Sequence, residues 1–413
     1  MFFQAIFNLL LPMLISPDTF GLFSIMIANA NFAVLLTSAG IPSLLSYNAS
    51  AQSQSFAGIQ QLLFYSTTAQ FIVILIAEVI RYTNGHPFLI WPSDQISAGI
   101  GGIILFLCIA HTEKLSAIFT GFLRAGNFFL LAAIVGFIQI LLLVVWFLFK
   151  RPGPATTPLY IIIAANIFLV STIHIRLYKK PIAYIYNKTK AINFNAGLLY
   201  AFPAYLANLI QFMATRIDLW LIDYWYDKSQ VGFYALSNQL GQILMLVPFV
   251  LASIAFPMLS NEKIKEEIFA KWIRLMNGVI WIILLCALLL SPMLIRLLWN
   301  NRYNDSIVPF LLILPGFFAR AQIAVYAAYF AAKRKISVNV WTSVIALFSM
   351  VLADIILLPI WQIRGAAIGL SIAQILSAVW LIKQFNMSSK TTGYRLWPLK
   401  DDFKPTLFRN PWK

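Results

Sequence analysis

The chain alternates long apolar runs with short polar breaks, and the runs show no period-2 alternation. A helix needs ~20 mostly apolar residues to cross the hydrocarbon of a bilayer. Reading for such runs between charges, prolines and glycines gives twelve segments, at about 1–15, 21–46, 61–80, 97–121, 128–149, 157–177, 197–222, 231–257, 275–297, 307–331, 338–360 and 364–384. Lipid offers no partner for a bare backbone, so each run must satisfy its own hydrogen bonds as a helix. A β-barrel would need alternating strands of ~10 residues. The pattern therefore predicts an all-α polytopic membrane protein with about twelve transmembrane helices.

Composition strengthens this. Of 413 residues, 61% are hydrophobic and 11% charged, against about 45–50% and ~25% in soluble domains. A water-soluble enzyme is excluded. The net charge of +16 would by itself suggest nucleic acid, but its placement points elsewhere. Of the 30 Lys and Arg, 20 fall in one set of alternate loops and the tail, 8 in the opposite set, and Lys114 and Arg320 lie within spans. The richer set includes Arg124, Lys179–Lys190, Lys263–Arg274, Lys333–Lys335 and the tail from Lys383 to Lys413. By the positive-inside rule these loops and the C-terminus are cytoplasmic. The tail 386–413 mixes basic residues with Trp397, Phe403, Phe408 and Trp412, which suits an anionic lipid surface. No nucleic-acid partner is expected. Cys108 and Cys286 lie in apolar runs without metal-site spacing. The N-terminus has no basic region or cleavage site of a signal peptide. There is no phosphate-binding G-x-x-x-x-G-K-S/T loop and no catalytic set in a polar loop.

The chain also repeats itself. At a shift of 211, Phe20-Gly21-Leu22-Phe23-Ser24 lies on Val231-Gly232-Phe233-Tyr234-Ala235. At a shift of 208, Gly121–Phe128 lies on Tyr329–Ile336, each a short basic turn. Two pseudo-symmetric six-helix bundles follow: a lobe at 1–178, a linker at 179–195, a second lobe at 196–385 and the tail at 386–413. Parallel repeats of this kind are a transporter signature. The register also places the start of the chain inside its first span, which is short at 15 residues, so the first helix is expected to be truncated.

Taken in order, SPDTFGLFSI, GFLRAGNF, RIDLW, VGFYALSNQL, FPMLSN, LLWNNRYNDSIVPFLLIL and IRGAAIGLSIAQ resemble the polysaccharide transporter branch of the multidrug/oligosaccharidyl-lipid/polysaccharide flippase superfamily. The O-antigen flippases of Gram-negative bacteria are its best-known members. The resemblance spans nearly the whole chain. It implies a V-shaped pair of six-helix bundles with a cationic cavity, in the bacterial inner membrane. It also implies a polyprenyl-diphosphate-linked oligosaccharide substrate moved across the bilayer by alternating access.

Charges in hydrocarbon are costly and mark function by default. For the substrate that the resemblance implies, Arg can bind a diphosphate bidentately and Lys can act as a point charge. The candidate substrate-binding residues are Arg216, Asp218, Arg320, Lys114, His111, Glu113 and Arg124. Arg216 and Asp218 share the seventh span but not one helix face, so each should have its own partner. That span also carries Pro203 and is the candidate moving helix. In the fourth span His111 and Lys114, three apart, share a face and Glu113 is turned by about 100°. A structural alternative is a Glu113–Lys114 pair at a helix contact. Arg320 maps at the 208 shift to Thr112, beside that cluster. Arg124 can equally be an orienting loop charge. Glu78 and Arg81, three apart, are expected to pair locally, and Asp354 is either a helix contact or a proton-coupling site. No resident cofactor or metal is expected, with a coupling H+ or Na+ left open. Partners would be the lipid-linked oligosaccharide, membrane lipids and polysaccharide polymerase or chain-length machinery. The alternatives are a cation- or drug-coupled multidrug extruder of the same superfamily, and a membrane glycan polymerase or ligase, which would need a large outer loop.

Overall fold

The computed structural model describes residues 2–50, 56–92, 96–121, 125–148, 161–165, 167–169, 172, 194–260, 266–333 and 335–388. Among these residues the elements are helices joined by turns, with no strand. Arg124, most of the expected linker 179–195 and the tail beyond 388 lie outside them. The chain divides into two compact units, Met1–Leu209 and Ile210–Lys413.

In the first unit, α1 (Phe2–Leu14) packs on α6 (Ala125–Leu148), while α2 (Pro17–Ser38), α3 (Ile41–Ser50) and α4 (Phe56–Thr83) pack on α5 (Ile96–Gly121). Ser16 caps α2, its Oγ accepting from the Thr19 N–H at 3.4 Å, with Pro17 in the first turn. The expected single span at 21–46 is broken into α2 and α3. Ala39 and Gly40 both take positive φ, 45° and 81°, and a left-handed residue ends an α-helix. Leu45, Ile59, Leu115, Ile118 and Leu131 form part of this unit's core.

The turn after α4 corrects a second expectation. Glu78 does not pair with Arg81. Its carboxylate accepts the backbone N–H groups of Leu89 (2.6 Å) and Ile90 (3.1 Å), while Arg81 Nε donates to the Pro87 carbonyl at 3.1 Å. Asn29 Nδ2 donates to the Leu89 carbonyl at 2.8 Å. The turn then lies flat on α5, because a Cβ on Gly99 would stand 2.6 Å from the Phe88 ring and one on Gly102 would stand 3.2 Å from Ile90.

The second unit holds α8 (Ile217–Trp225), α9 (Lys228–Leu244), α10 (Leu246–Ser260), α11 (Glu266–Leu298), α12 (Ile307–Ala332) and α13 (Ile336–Ser388). α7 (Phe194–Met213) runs across the division between the units. The expected seventh span is not continuous: it breaks between Met213 and Ile217. Beside the break, Thr215 Oγ1 bonds back to the carbonyls of Gln211 and Phe212. There the backbone tightens from i→i−4 to i→i−3 bonding. The eighth span bends by 45° between α9 and α10. Pro248 explains the position, since it offers no N–H to Leu244, the last residue of α9. Residues 266–274, which the sequence places in the basic loop at Lys263–Arg274, are the start of α11. α13 is two limbs that meet at Gln362 (φ 52°, ψ −140°), so the last two expected spans are present.

Six helices are long and apolar enough to cross a membrane among the described residues, or seven if α9 and α10 count as one bent span. α11 shows the environment they meet. Ile282, Leu285, Leu289, Met293 and Leu297 are each at least 57% exposed, while Phe269, Ile273, Met276 and Ile280 are buried. The exposed side is an apolar stripe that water would not tolerate over such a length. α2 and α9 start 211 residues apart, at Pro17 and Lys228.

Candidate functional site

In the second unit, four elements bring five polar residues into electrostatic range of one another. The break before α8 supplies Arg216 and, in the first turn of α8, Asp218. α9 supplies Tyr234, α12 supplies Arg320 and the first limb of α13 supplies Asp354. Asp218 is fully buried. Its Oδ1 accepts the Leu219 N–H at 2.8 Å, and its Oδ2 accepts the Tyr234 hydroxyl. It feels both Arg216 and Arg320, and those two guanidiniums feel each other. Arg320 stands over the Phe317 ring, its Cζ 5.7 Å from the centroid. Both arginines are half-buried. Arg216 and Asp218, expected to have separate partners, fall in one cluster and both interact with Tyr234.

Asp354 is the least satisfied member. It is fully buried, and neither carboxylate oxygen has a hydrogen-bond partner. It interacts electrostatically with Asp218 and with Tyr234. Gly369, on the second limb of α13, makes room for it, since a Cβ there would stand 2.8 Å from Asp354 Oδ1. Two guanidiniums beside two carboxylates can hold a phosphate-type anion. The carboxylate pair with a tyrosine oxygen can hold a proton or a monovalent cation. No cluster of three or more His, Cys, Asp or Glu side chains forms a metal cage among the described residues.

The same unit carries an apolar crevice of about 530 Å³ between α11, α12 and the second limb of α13. Trp281, Leu288, Pro315, Phe318, Gln322 and Val379 are among its walls. Pro315 interrupts α12, and Ser371 repairs the break. The Ser371 hydroxyl accepts the Gly316 N–H at 3.2 Å and donates to the Leu312 carbonyl at 2.6 Å.

In the first unit, α5 carries His111, Glu113 and Lys114. His111 and Glu113 are half-buried, while Lys114 is fully buried. The Lys114 ammonium does not bond to Glu113. It donates to Thr67 Oγ1 at 3.0 Å and to Gln70 Oε1, both on α4. Gln70 Nε2 in turn donates to Thr37 Oγ1 at 3.1 Å and to the Val34 carbonyl at 3.4 Å, both on α2. One cation thus joins three helices through neutral groups.

Tyr234, Thr67, Gln70 and Gly369 were not singled out from the sequence. Counting ionisable residues passes over hydroxyls, amides and glycines. The available signal was polarity inside an apolar run, which Gln70 and Thr67 do show. Arg124, the remaining candidate, lies outside the described residues.

A family model described as a polysaccharide biosynthesis protein matches residues 10–308. No curated protein sequence matches the chain. Among solved structures, the lipid II flippase MurJ in an inward closed conformation is similar at a TM-score of 0.66 and 15% identity, covering 93% of this chain and 86% of its own. An inward-facing multidrug resistance MATE family transporter is similar at a TM-score of 0.66 and 14% identity, covering 94% of this chain and 96% of its own. A transporter of the same superfamily from Pyrococcus furiosus, described as having reverse polarity of its binding pocket, is similar at 0.62 and 14% identity, covering 94% and 90%.

Proposed function

The chain belongs to the polysaccharide biosynthesis protein family of the multidrug/oligosaccharidyl-lipid/polysaccharide flippase superfamily, and from that premise we propose that it flips a polyprenyl-diphosphate-linked oligosaccharide across the bacterial inner membrane by alternating access. The observation that carries this reading is the Arg216–Arg320 pair within the spans of the second unit, held beside Asp218. Such cations suit a diphosphate, because guanidinium donors match phosphate oxygens in forked geometry. The apolar crevice beside α12 suits hydrocarbon. Asp218 and Asp354 take the coupling H+ or Na+, whose arrival changes the charge that the two arginines see. The C-terminus is cytoplasmic, on the side of the basic loops. Polymerase and chain-length machinery would consume the product.

Complementation of a flippase-null strain tests this. Rescue of surface glycan is expected with the wild-type chain. R216A and R320A should export less while inserting normally into the membrane. Export at wild-type level in both variants would remove the pair from the substrate path. The multidrug extruder of the same superfamily is the second reading, favoured by the buried Asp218–Asp354 pair. It predicts cationic-drug resistance on expression and no rescue of glycan export.

A further inference from the structure

The link between α4 and α5 in the first unit has a counterpart in the second. In the sequence repeat, α11 and α12 take the places of α4 and α5. They too are joined by a buried polar bond, from Gln322 Nε2 to Asn277 Oδ1 at 2.6 Å. Shifted by 211, Gln322 falls on His111, one turn from Lys114, and Asn277 falls on Ser66, beside Thr67. A helix pair in each unit is therefore joined by a buried polar link, once between two neutral amides and once through an ammonium. A neutral pair is enough to join these helices. Burying a charge in a membrane lobe costs far more than burying an amide, so the cation in the first unit has a use beyond packing.

The hydrogen-bond network around it runs in one direction. The Thr67 hydroxyl donates to the Leu63 carbonyl at 2.8 Å and the Thr37 hydroxyl to the Ala33 carbonyl at 2.7 Å. Both protons are committed to helix carbonyls, so both oxygens face inward as acceptors. Toward Gln70, Thr37 Oγ1 and the Val34 carbonyl are both acceptors and take its amide nitrogen, which turns the Gln70 carbonyl oxygen toward Lys114. Every acceptor that meets the ammonium this way is uncharged. Glu113, its chain neighbour, is felt electrostatically but is not the group that holds it. The ammonium is fixed in place without being neutralised at contact.

We propose that Gln70 and Thr67 are positioning residues that hold the Lys114 ammonium as a standing positive charge for the anionic diphosphate of the substrate. The role rests on the lipid-diphosphate reading above. Gln70, on α4 and bonded to α2, sets the direction of the network, and Thr67 supplies the second acceptor, also from α4. Thr37 is the anchor that keeps the Gln70 amide from turning over.

Binding of farnesyl diphosphate to the full-length chain in detergent, read by intrinsic tryptophan fluorescence, tests it alongside thermal unfolding. K114Q should bind about tenfold more weakly, which is ~1.4 kcal/mol, and should unfold near the wild-type temperature, because a neutral link suffices in the second unit. Q70E places a carboxylate against the ammonium and should lose a similar factor. T67V removes an acceptor and should weaken binding, and T67S restores the acceptor and the affinity. Q70E introduced into K114Q should add no further loss, since Gln70 acts through Lys114. Additive losses, or wild-type binding by both Q70E and T67V when K114Q is weakened, would overturn the positioning role alone. No binding by the wild-type chain, or undiminished binding by K114Q, would overturn the reading of Lys114 as a headgroup charge and the proposal with it.

Discussion

Asp354 and Gly369 meet so closely that each limits what the other can be. A methyl on Gly369 would stand 2.8 Å from the Asp354 carboxylate, so G369A should lower the unfolding temperature and impair transport, and G369V should do both more severely. A thermal melt with parallel export measurements checks this, and an unchanged G369V would deny the contact. Tyr234→Phe removes the hydroxyl that meets Asp218 Oδ2. Leaving a buried acceptor unsatisfied costs about 1–3 kcal/mol, so Y234F should unfold at a lower temperature than the wild type. If Asp218 and Asp354 carry the coupling ion, D354N should blunt the response of transport to an imposed proton or sodium gradient while gradient-free exchange persists. At this scale the sequence was informative about which residues are exceptional. A charge within a long apolar run is visible without a structure, and Arg216, Asp218, Arg320 and Lys114 were all found that way. Which groups they meet was not visible, because most of those lie on other helices.

Elements end and bend where a specific residue stops the backbone ladder. Pro248 accounts for the 45° bend between α9 and α10, and P248A should straighten it. Spin labels on the two helices would report a longer end-to-end distance, and an unchanged distance would assign the bend to packing. The Pro315 break in α12 is repaired from outside by Ser371. S371A leaves the Gly316 N–H without its bond and should cost about 1–3 kcal/mol of stability, readable by thermal unfolding, whereas S371T should retain most of it. Pro248 and Pro315 are visible in the sequence, although the spans at 231–257 and 307–331 are read there as continuous. The break at Ala214–Arg216 was not legible, since neither proline nor glycine marks it and a threonine bonding back to its own helix is common within unbroken helices. That break matters most for the site, because it turns Arg216 out of the helix and places Asp218 in the first turn of α8.

For the whole molecule, the test is topology. Reporter fusions after Lys190 and after Lys413 should score as cytoplasmic, and one at Arg302 as external. The reverse pattern would refute the orientation read from the 20 and 8 loop charges. The architecture could be read from the chain because lipid imposes it: a run of ~20 apolar residues has to be a helix, and basic loops stay inside. The repeat was read from turn chemistry that recurs at spacings of 208 and 211 residues. What only the tertiary structure decided is which groups meet. Glu78 serves two backbone N–H groups rather than Arg81, and Lys114 lies against Thr67 and Gln70 rather than Glu113. Neighbours in sequence are not neighbours in space unless they share a helix face. A buried charge bonds to whatever polar group the adjoining helix presents, and helix packing settles that after every span has already been determined.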